Sequence, residues 1–117
     1  VITGLQDHVE SAKTLVEWGA DIAVVTLGEK GSVACDRKAC LSVPAYKTAA
    51  VDPTGAGDVY AGAFLAEYGR TGELGSSCLY ASAAASIMVE SIGPDFPVTD
   101  QEVRRRAGRI SAELKAL

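Results

Sequence analysis

The stretch "VDPTGAGDVYAGAF", Val51 to Phe64, sets two glycines around an alanine and follows them with a single aspartate. The chain then turns apolar and small, as a buried helix does. Gly55-Ala56-Gly57 therefore lies where an extended segment meets a helix start, and backbone N–H groups there lack intrahelical partners. Glycine permits unusual φ values and removes the Cβ that would block a ligand. Successive N–H groups and the helix dipole together form a site for an anion, phosphate above all. An acid in that positive setting is well ionised. Asp58 is thus placed to take a proton from a hydroxyl while the N–H groups of residues 55–57 hold charge developing on a transferred phosphoryl group. The four residues alone fit a tight turn equally well, with Asp58 as a favourable charge on the helix dipole.

Two other phosphate loops are excluded. The Walker pattern needs Lys and then Ser or Thr after its last glycine, and neither "GEKGS" nor "GAGDVY" supplies that spacing. The dinucleotide fingerprint needs a glycine where this chain has Tyr60.

The elements that must position the loop follow from periodicity. Residues Thr3 to Ala20 read as a helix, with Val9, Ala12, Val16 and Gly19 at helical spacing, Asp7 and Glu10 as a capping box, and Gly19 closing it. "DIAVVTL" is a β-branched run without polar alternation, which suits a strand covered on both faces, as in a parallel sheet. "GEKG" is a tight turn, "SVACD" the next strand and "RKA" another turn. "CLSVPAYKTAAV" is extended, and Pro44 marks an edge or a break. A helix follows from Thr54 to about Tyr68. After "GRTGELG", Leu74, Cys78, Ala81, Ala85 and Met88 step through a second helix to about Ser91, whose alanines and serines admit a close neighbour. Thr99 and Glu102 form a capping box before a stripe of Val103, Ala107, Ile110, Leu114 and Leu117. A buried strand among helices points to α/β layers in one domain over residues 1–117.

Composition narrows the function classes. The 117 residues are 48% hydrophobic and 22% charged, ordinary for a soluble globular domain. A net charge of −4 argues against a nucleic-acid surface, and Arg104-Arg105-Arg106 reads as the solvated face of the last helix. No apolar run is long enough to span a membrane. Cys35, Cys40 and Cys78, with His8 the one histidine, make neither a zinc site nor a disulfide framework. They read as small buried apolar residues in a reducing, cytoplasmic setting. The chain opens at Val1 without a Met, which fits a fragment or processed piece.

Asp52-Pro53-Thr54-Gly55-Ala56-Gly57-Asp58, followed by Gly62, Ala63, Phe64 and Leu65, resembles the second signature of the ribokinase-like (PfkB) carbohydrate kinases. "VVTLGEKGS", Val24 to Ser32, resembles that family's nucleotide-binding strand and turn. "YASAAASIMVESIGP" is similar to the helix that packs beside the nucleotide base. The resemblance covers essentially the whole chain but only the C-terminal part of the usual family chain. It implies a segment of a three-layer α/β/α, Rossmann-like fold, without the N-terminal substrate part and lid. It implies ATP-dependent phosphorylation of a hydroxyl on a sugar, polyol or nucleoside, with Asp58 as base and Gly55, Ala56 and Gly57 as the anion hole. Thr26, Gly28 and Gly31 match positions lining the nucleotide site, and Ser82 a position near the adenine. Mg²⁺ would travel with ATP, held largely by phosphate and water. Asp52 and Thr54 match the start of a site for a monovalent cation such as K⁺, and Gly93 its far side. Ser91 stands where a longer side chain can occur. Pro53 replaces a threonine common in ribokinase itself.

The family's first glycine signature, its acceptor contacts, its lid and its Asn-x-x-Glu motif are not found in the sequence. The acceptor and the homodimer pairing that the lid often mediates would therefore belong to the full-length protein, and this chain alone is expected to have little or no kinase activity. The alternative expectation is a non-catalytic nucleotide-binding or interaction module that keeps this half of the fold.

Overall fold

A computed structural model describes residues 5–48, 56–90 and 99–117. Helix α1 spans Leu5–Glu17, and strands β1, β2 and β3 span Ile22–Thr26, Ser32–Asp36 and Cys40–Val43. Helices α2, α3 and α4 follow at Ala56–Thr71, Leu74–Val89 and Asp100–Ile110, and a short strand β4, Lys115–Ala116, closes the order. The sheet runs β1-β2-β3-β4.

Strand β2 sits at the centre of a three-layer arrangement. Its side chains alternate: Val33 and Cys35 join Val9 and Ala12 of α1, and Ala34 joins Phe64 of α2 and Leu74 and Cys78 of α3 on the opposite face. Residues 32–35 are consequently all buried. Ten of the sixteen residues of α3 are buried, most of them Ala, Ser, Gly or Cys, so α2 and α4 approach it closely.

The layering agrees with the expected α/β class, but the pairing differs from the parallel sheet suggested by "DIAVVTL". β1 pairs antiparallel with β2, from Ile22 opposite Asp36 to Thr26 opposite Ser32. A turn as short as residues 27–31 can only return the chain antiparallel, because a parallel pair needs a long crossover. The expected edge or break at Pro44 is where β3 ends.

Three further expectations are corrected. Cys35 and Cys40 form a disulfide, and Cys78 is the buried free thiol. The β2–β3 register sets the two half-cystines directly opposite, with Cα atoms 4.1 Å apart. That juxtaposition comes from hairpin register, which no spacing motif announces, and it removes the thiol argument for a reducing compartment. The last apolar stripe is not one helix: α4 stops at Ile110, a 3₁₀ turn follows, and Lys115–Ala116 pair with Ser42 and Leu41 at the open edge of β3. Asp7 lies inside α1 and not at its cap, since Leu5 and Gln6 before it are already helical. One half of the expected Thr99–Glu102 box is present: the Thr99 side chain accepts from the Glu102 N–H at 3.2 Å, while the Glu102 carboxylate accepts from Arg105 and Arg106.

The arginine run is not simply a solvated face. Glu67 of α2 is buried and accepts two forked pairs, from Arg70 at 3.1 and 3.0 Å and from Arg104 at 3.0 and 3.1 Å. Arg104 also bonds Asp100 and lies over the Tyr80 ring at 4.8 Å, so one carboxylate ties α2 to α4 across α3. The Arg104 and Arg70 guanidiniums hold the Glu67 carboxyl down at about 2, from an ordinary 4.5. Its stabilisation is therefore complete above pH 4.5 and is lost as pH falls toward 2.

Glu67→Gln should cost about 2 kcal/mol at neutral pH, less than a wholly buried pair because both arginines remain partly in water. Melting temperature followed from pH 7 down to pH 2 should fall less steeply for the variant below pH 4.5. Equal slopes for the two proteins would remove Glu67 from the account of acid stability.

Candidate functional site

The site is built where three sequence-distant elements end side by side. β1 ends at Thr26, and the chain turns through a 3₁₀ segment, Gly28–Lys30, into Gly31. The Leu27 N–H donates to the Gly31 carbonyl at 2.8 Å, and the Gly31 N–H donates to the Gly28 carbonyl at 3.1 Å, closing a tight loop. Gly31 has φ +96°, and a Cβ there would meet the Val43 carbonyl oxygen at 2.1 Å. Both the left-handed backbone and the contact with β3 require glycine.

Past β3 the chain leaves the sheet at Pro44, whose carbonyl accepts from Ser82 Oγ at 2.8 Å. α2 spans Ala56–Thr71 with Asp58 in its first turn, where N–H groups lie outside the intrahelical ladder.

These elements enclose a cleft of about 790 Å³, a size usual for small-molecule sites. Thr26, Gly28, Lys30, Gly31 and Ser32 line one side; Ala45, Tyr46, Lys47 and Thr48 another; Ala56, Gly57 and Tyr60 the mouth of α2. Ser82, Ala85, Ser86 and Val89 come from a single face of α3, at helical spacing. Among the described lining residues are two lysines and no carboxylate. With the α2 N-terminus in the same wall, the cleft suits an anion.

Among the described residues, nothing in the backbone or the packing requires glycine at position 57. It is not among the glycines with positive φ, and a Cβ on it would meet nothing within 4 Å. Glycine in a helix costs about 0.5–1 kcal/mol relative to alanine. Its missing Cβ leaves the backbone open to a ligand in the cleft.

The structure thus brings together Thr26, Gly28, Gly31, Ala56, Gly57 and Ser82. Asp58, the third residue of α2, is exposed and does not line the cleft. At 3.6 residues per turn it stands about 160° round the helix from both Ala56 and Tyr60. Gly55, Asp52, Thr54, Ser91 and Gly93 lie outside the described residues. Among the described residues, no group of three or more His, Cys, Asp or Glu converges on a metal position.

Sequence reasoning missed Tyr46, Thr48 and Tyr60. The Tyr60 hydroxyl lies 3.2 Å from Ser32 Oγ, linking the first turns of α2 to the start of β2. Burial raises the Tyr60 pKa, so its hydroxyl stays protonated and serves as a link and not as a base. Burial likewise pushes the Cys78 thiol up to about 11, which keeps it unreactive in the core. The spacing of residues 82, 85, 86 and 89 was the available signal for the α3 wall.

The family model for pfkB carbohydrate kinases matches residues 2–101. The chain belongs to the pfkB family. Within it, the chain is similar to a deoxyribokinase of Salmonella typhi, 34% identical over 108 residues, which cover 86% of this chain and 35% of the relative. A cytidine kinase of Thermococcus kodakarensis is 43% identical over 72 residues, covering 60% of this chain and 26% of that one. The pfkB-family chain thus spans roughly a quarter to a third of the length of these relatives.

Among solved structures, the nucleoside kinase of Methanocaldococcus jannaschii, described as an archaeal member of the ribokinase family, superposes with a TM-score of 0.71 at 32% identity, covering 92% of this chain and 34% of that one. Phosphofructokinase-2 of Escherichia coli, in a complex with potassium, gives a TM-score of 0.83 at 23% identity over 95% of this chain and 36% of its own. The pfkB-family chain has part of the ribokinase fold, about a third of the length of these two solved chains.

Proposed function

We propose that this chain is the nucleotide-binding and phosphoryl-transfer segment of a kinase that phosphorylates a hydroxyl on a sugar, polyol or nucleoside with ATP. The observation that carries this reading is the cleft in which Thr26, Gly28, Gly31, Ala56, Gly57 and Ser82 meet, lined by Lys30 and Lys47 and by no described carboxylate. Asp58 acts as general base. Its place on the far side of the helix start from the nucleotide cleft suits this role, because an in-line acceptor must approach the γ-phosphorus from the side opposite the leaving ADP. The proton passes from the acceptor hydroxyl to Asp58, the hydroxyl oxygen bonds to phosphorus, and the bond to ADP breaks. The N–H groups of Ala56 and Gly57, with Gly55, hold the charge on the transferring group.

Mg²⁺ would enter with the nucleotide and shield its phosphates, with phosphate and water supplying most of its ligands. Asp52 and Thr54 are proposed to hold a monovalent cation such as K⁺. The family relationship supports two further proposals for the full-length protein: a cytoplasmic location and pairing as a homodimer.

A screen of sugars, polyols and nucleosides with γ-labelled ATP tests the reading in the intact protein. Label should appear on an acceptor hydroxyl. ATP bound with no acceptor labelled in any class would favour a non-catalytic nucleotide-binding module.

A further inference from the structure

Arg106 lies on α4, beyond the residues that the family model matches. Its side chain is only 11% exposed, unusual for an arginine in a run of three. It donates to both oxygens of Glu90 at 2.8 and 2.9 Å, to Ser86 Oγ at 2.9 Å, and through Nε to Glu102 at 2.8 Å. Its guanidinium lies 4.7 Å from the centre of the Tyr46 ring. Glu90 in turn accepts a hydrogen bond from the Thr48 hydroxyl.

Three of the residues in this assembly, Tyr46, Thr48 and Ser86, line the nucleotide cleft. Tyr46 and Thr48 belong to a stretch after β3 that has no strand or helix of its own, so side chains must fix its path. Arg106 covers Tyr46 by stacking and reaches Thr48 through Glu90.

We infer that Arg106 is a positioning residue for the nucleotide cleft: from α4 it holds the Tyr46–Thr48 wall, with Ala85 and Val89 of α3 beside it, in the form that receives the base. The inference rests on the reading of the cleft as a nucleotide site. It assigns the aromatic and aliphatic wall to the base, and Lys30 and the first-turn N–H groups of α2 to the phosphates. Arginine is required for this because a lysine keeps the charge but loses the planar fork and the stacking face.

The experiment compares wild type, Arg106→Lys and Thr48→Val by calorimetry, with magnesium ATP and with magnesium tripolyphosphate, which has no base. The expected result is that Arg106→Lys weakens ATP binding about tenfold, from the lost stacking and forked bonds, and leaves tripolyphosphate binding nearly unchanged. Thr48→Val, which leaves the arginine with both its carboxylates, should produce the same selective loss at smaller size, and it carries the test if Arg106→Lys does not fold.

Equal weakening toward both ligands would mean that Arg106 supports the fold generally, and would overturn the assignment. Unchanged ATP affinity in the folded variants would overturn it while leaving the nucleotide cleft standing. Wild type that binds tripolyphosphate but gains nothing from the base would also overturn it. Wild type that binds neither ligand would remove the cleft reading and this inference together.

Discussion

If the proposed reading holds, Asp58→Asn in the intact protein is expected to lower kcat by about 10³-fold, the usual contribution of a positioned general base. ATP affinity should stay nearly unchanged, because Asp58 is exposed and does not line the cleft proposed for the nucleotide. Asparagine matches aspartate in size but cannot take the acceptor proton. The fold should survive, since the loss of one favourable charge from the first turn of α2 costs about 0.3–1 kcal/mol. Steady-state kinetics with calorimetry separates the two effects. A variant with normal turnover would reduce Asp58 to a charge on the helix dipole, the alternative that the sequence left open.

Gly31→Ala should produce the largest loss of stability among the glycine substitutions in the turn between β1 and β2. The new Cβ combines a left-handed backbone with a 2.1 Å approach to the Val43 carbonyl oxygen. Together these cost about 3 kcal/mol, on the order of 10 °C in melting temperature for a chain of this size. The clash is with backbone, so β3 must move, and with it the Tyr46–Thr48 wall. ATP affinity should fall even in the fraction that stays folded. Gly28→Ala is the control: φ is +61° but the space is open, so only the conformational cost of about 1–2 kcal/mol applies. Urea unfolding of the two variants checks the order. Equal losses would mean that the turn relaxes away from Val43.

The parts of this fold that were legible in the sequence are those specified by local pattern. The apolar periods of α2 and α3 and the Thr99–Glu102 cap of α4 place those helices within a few residues of where they lie. The glycine signatures pointed to residues that converge on one cleft. The antiparallel return of β2 was also implicit, since the turn length around "GEKG" forbids a parallel partner.

What was not legible depends on partners far along the chain. Arg106 reads as solvated until α3 brings Ser86 and Glu90, 20 and 16 residues away, against it. The Cys35–Cys40 bridge needs the hairpin register, and the two residues of β4 have no period to announce them. Tyr46 and Thr48 belong to an irregular segment, where neither helical nor strand spacing gives a signal. The exposure of Asp58 outside the cleft follows only once its helical neighbours Ala56 and Tyr60 are placed in the cleft wall.

The central claim is that this chain, by itself, carries the nucleotide half of a kinase site. Calorimetric titration of the 117-residue chain with magnesium ATP, followed by an assay for phosphoryl transfer to sugars and nucleosides, tests it most directly. The account predicts one saturable nucleotide site and little or no transfer, because in-line transfer needs the acceptor held and water excluded, and the chain spans only a quarter to a third of the relatives it matches. A folded chain that fails to bind ATP would contradict it.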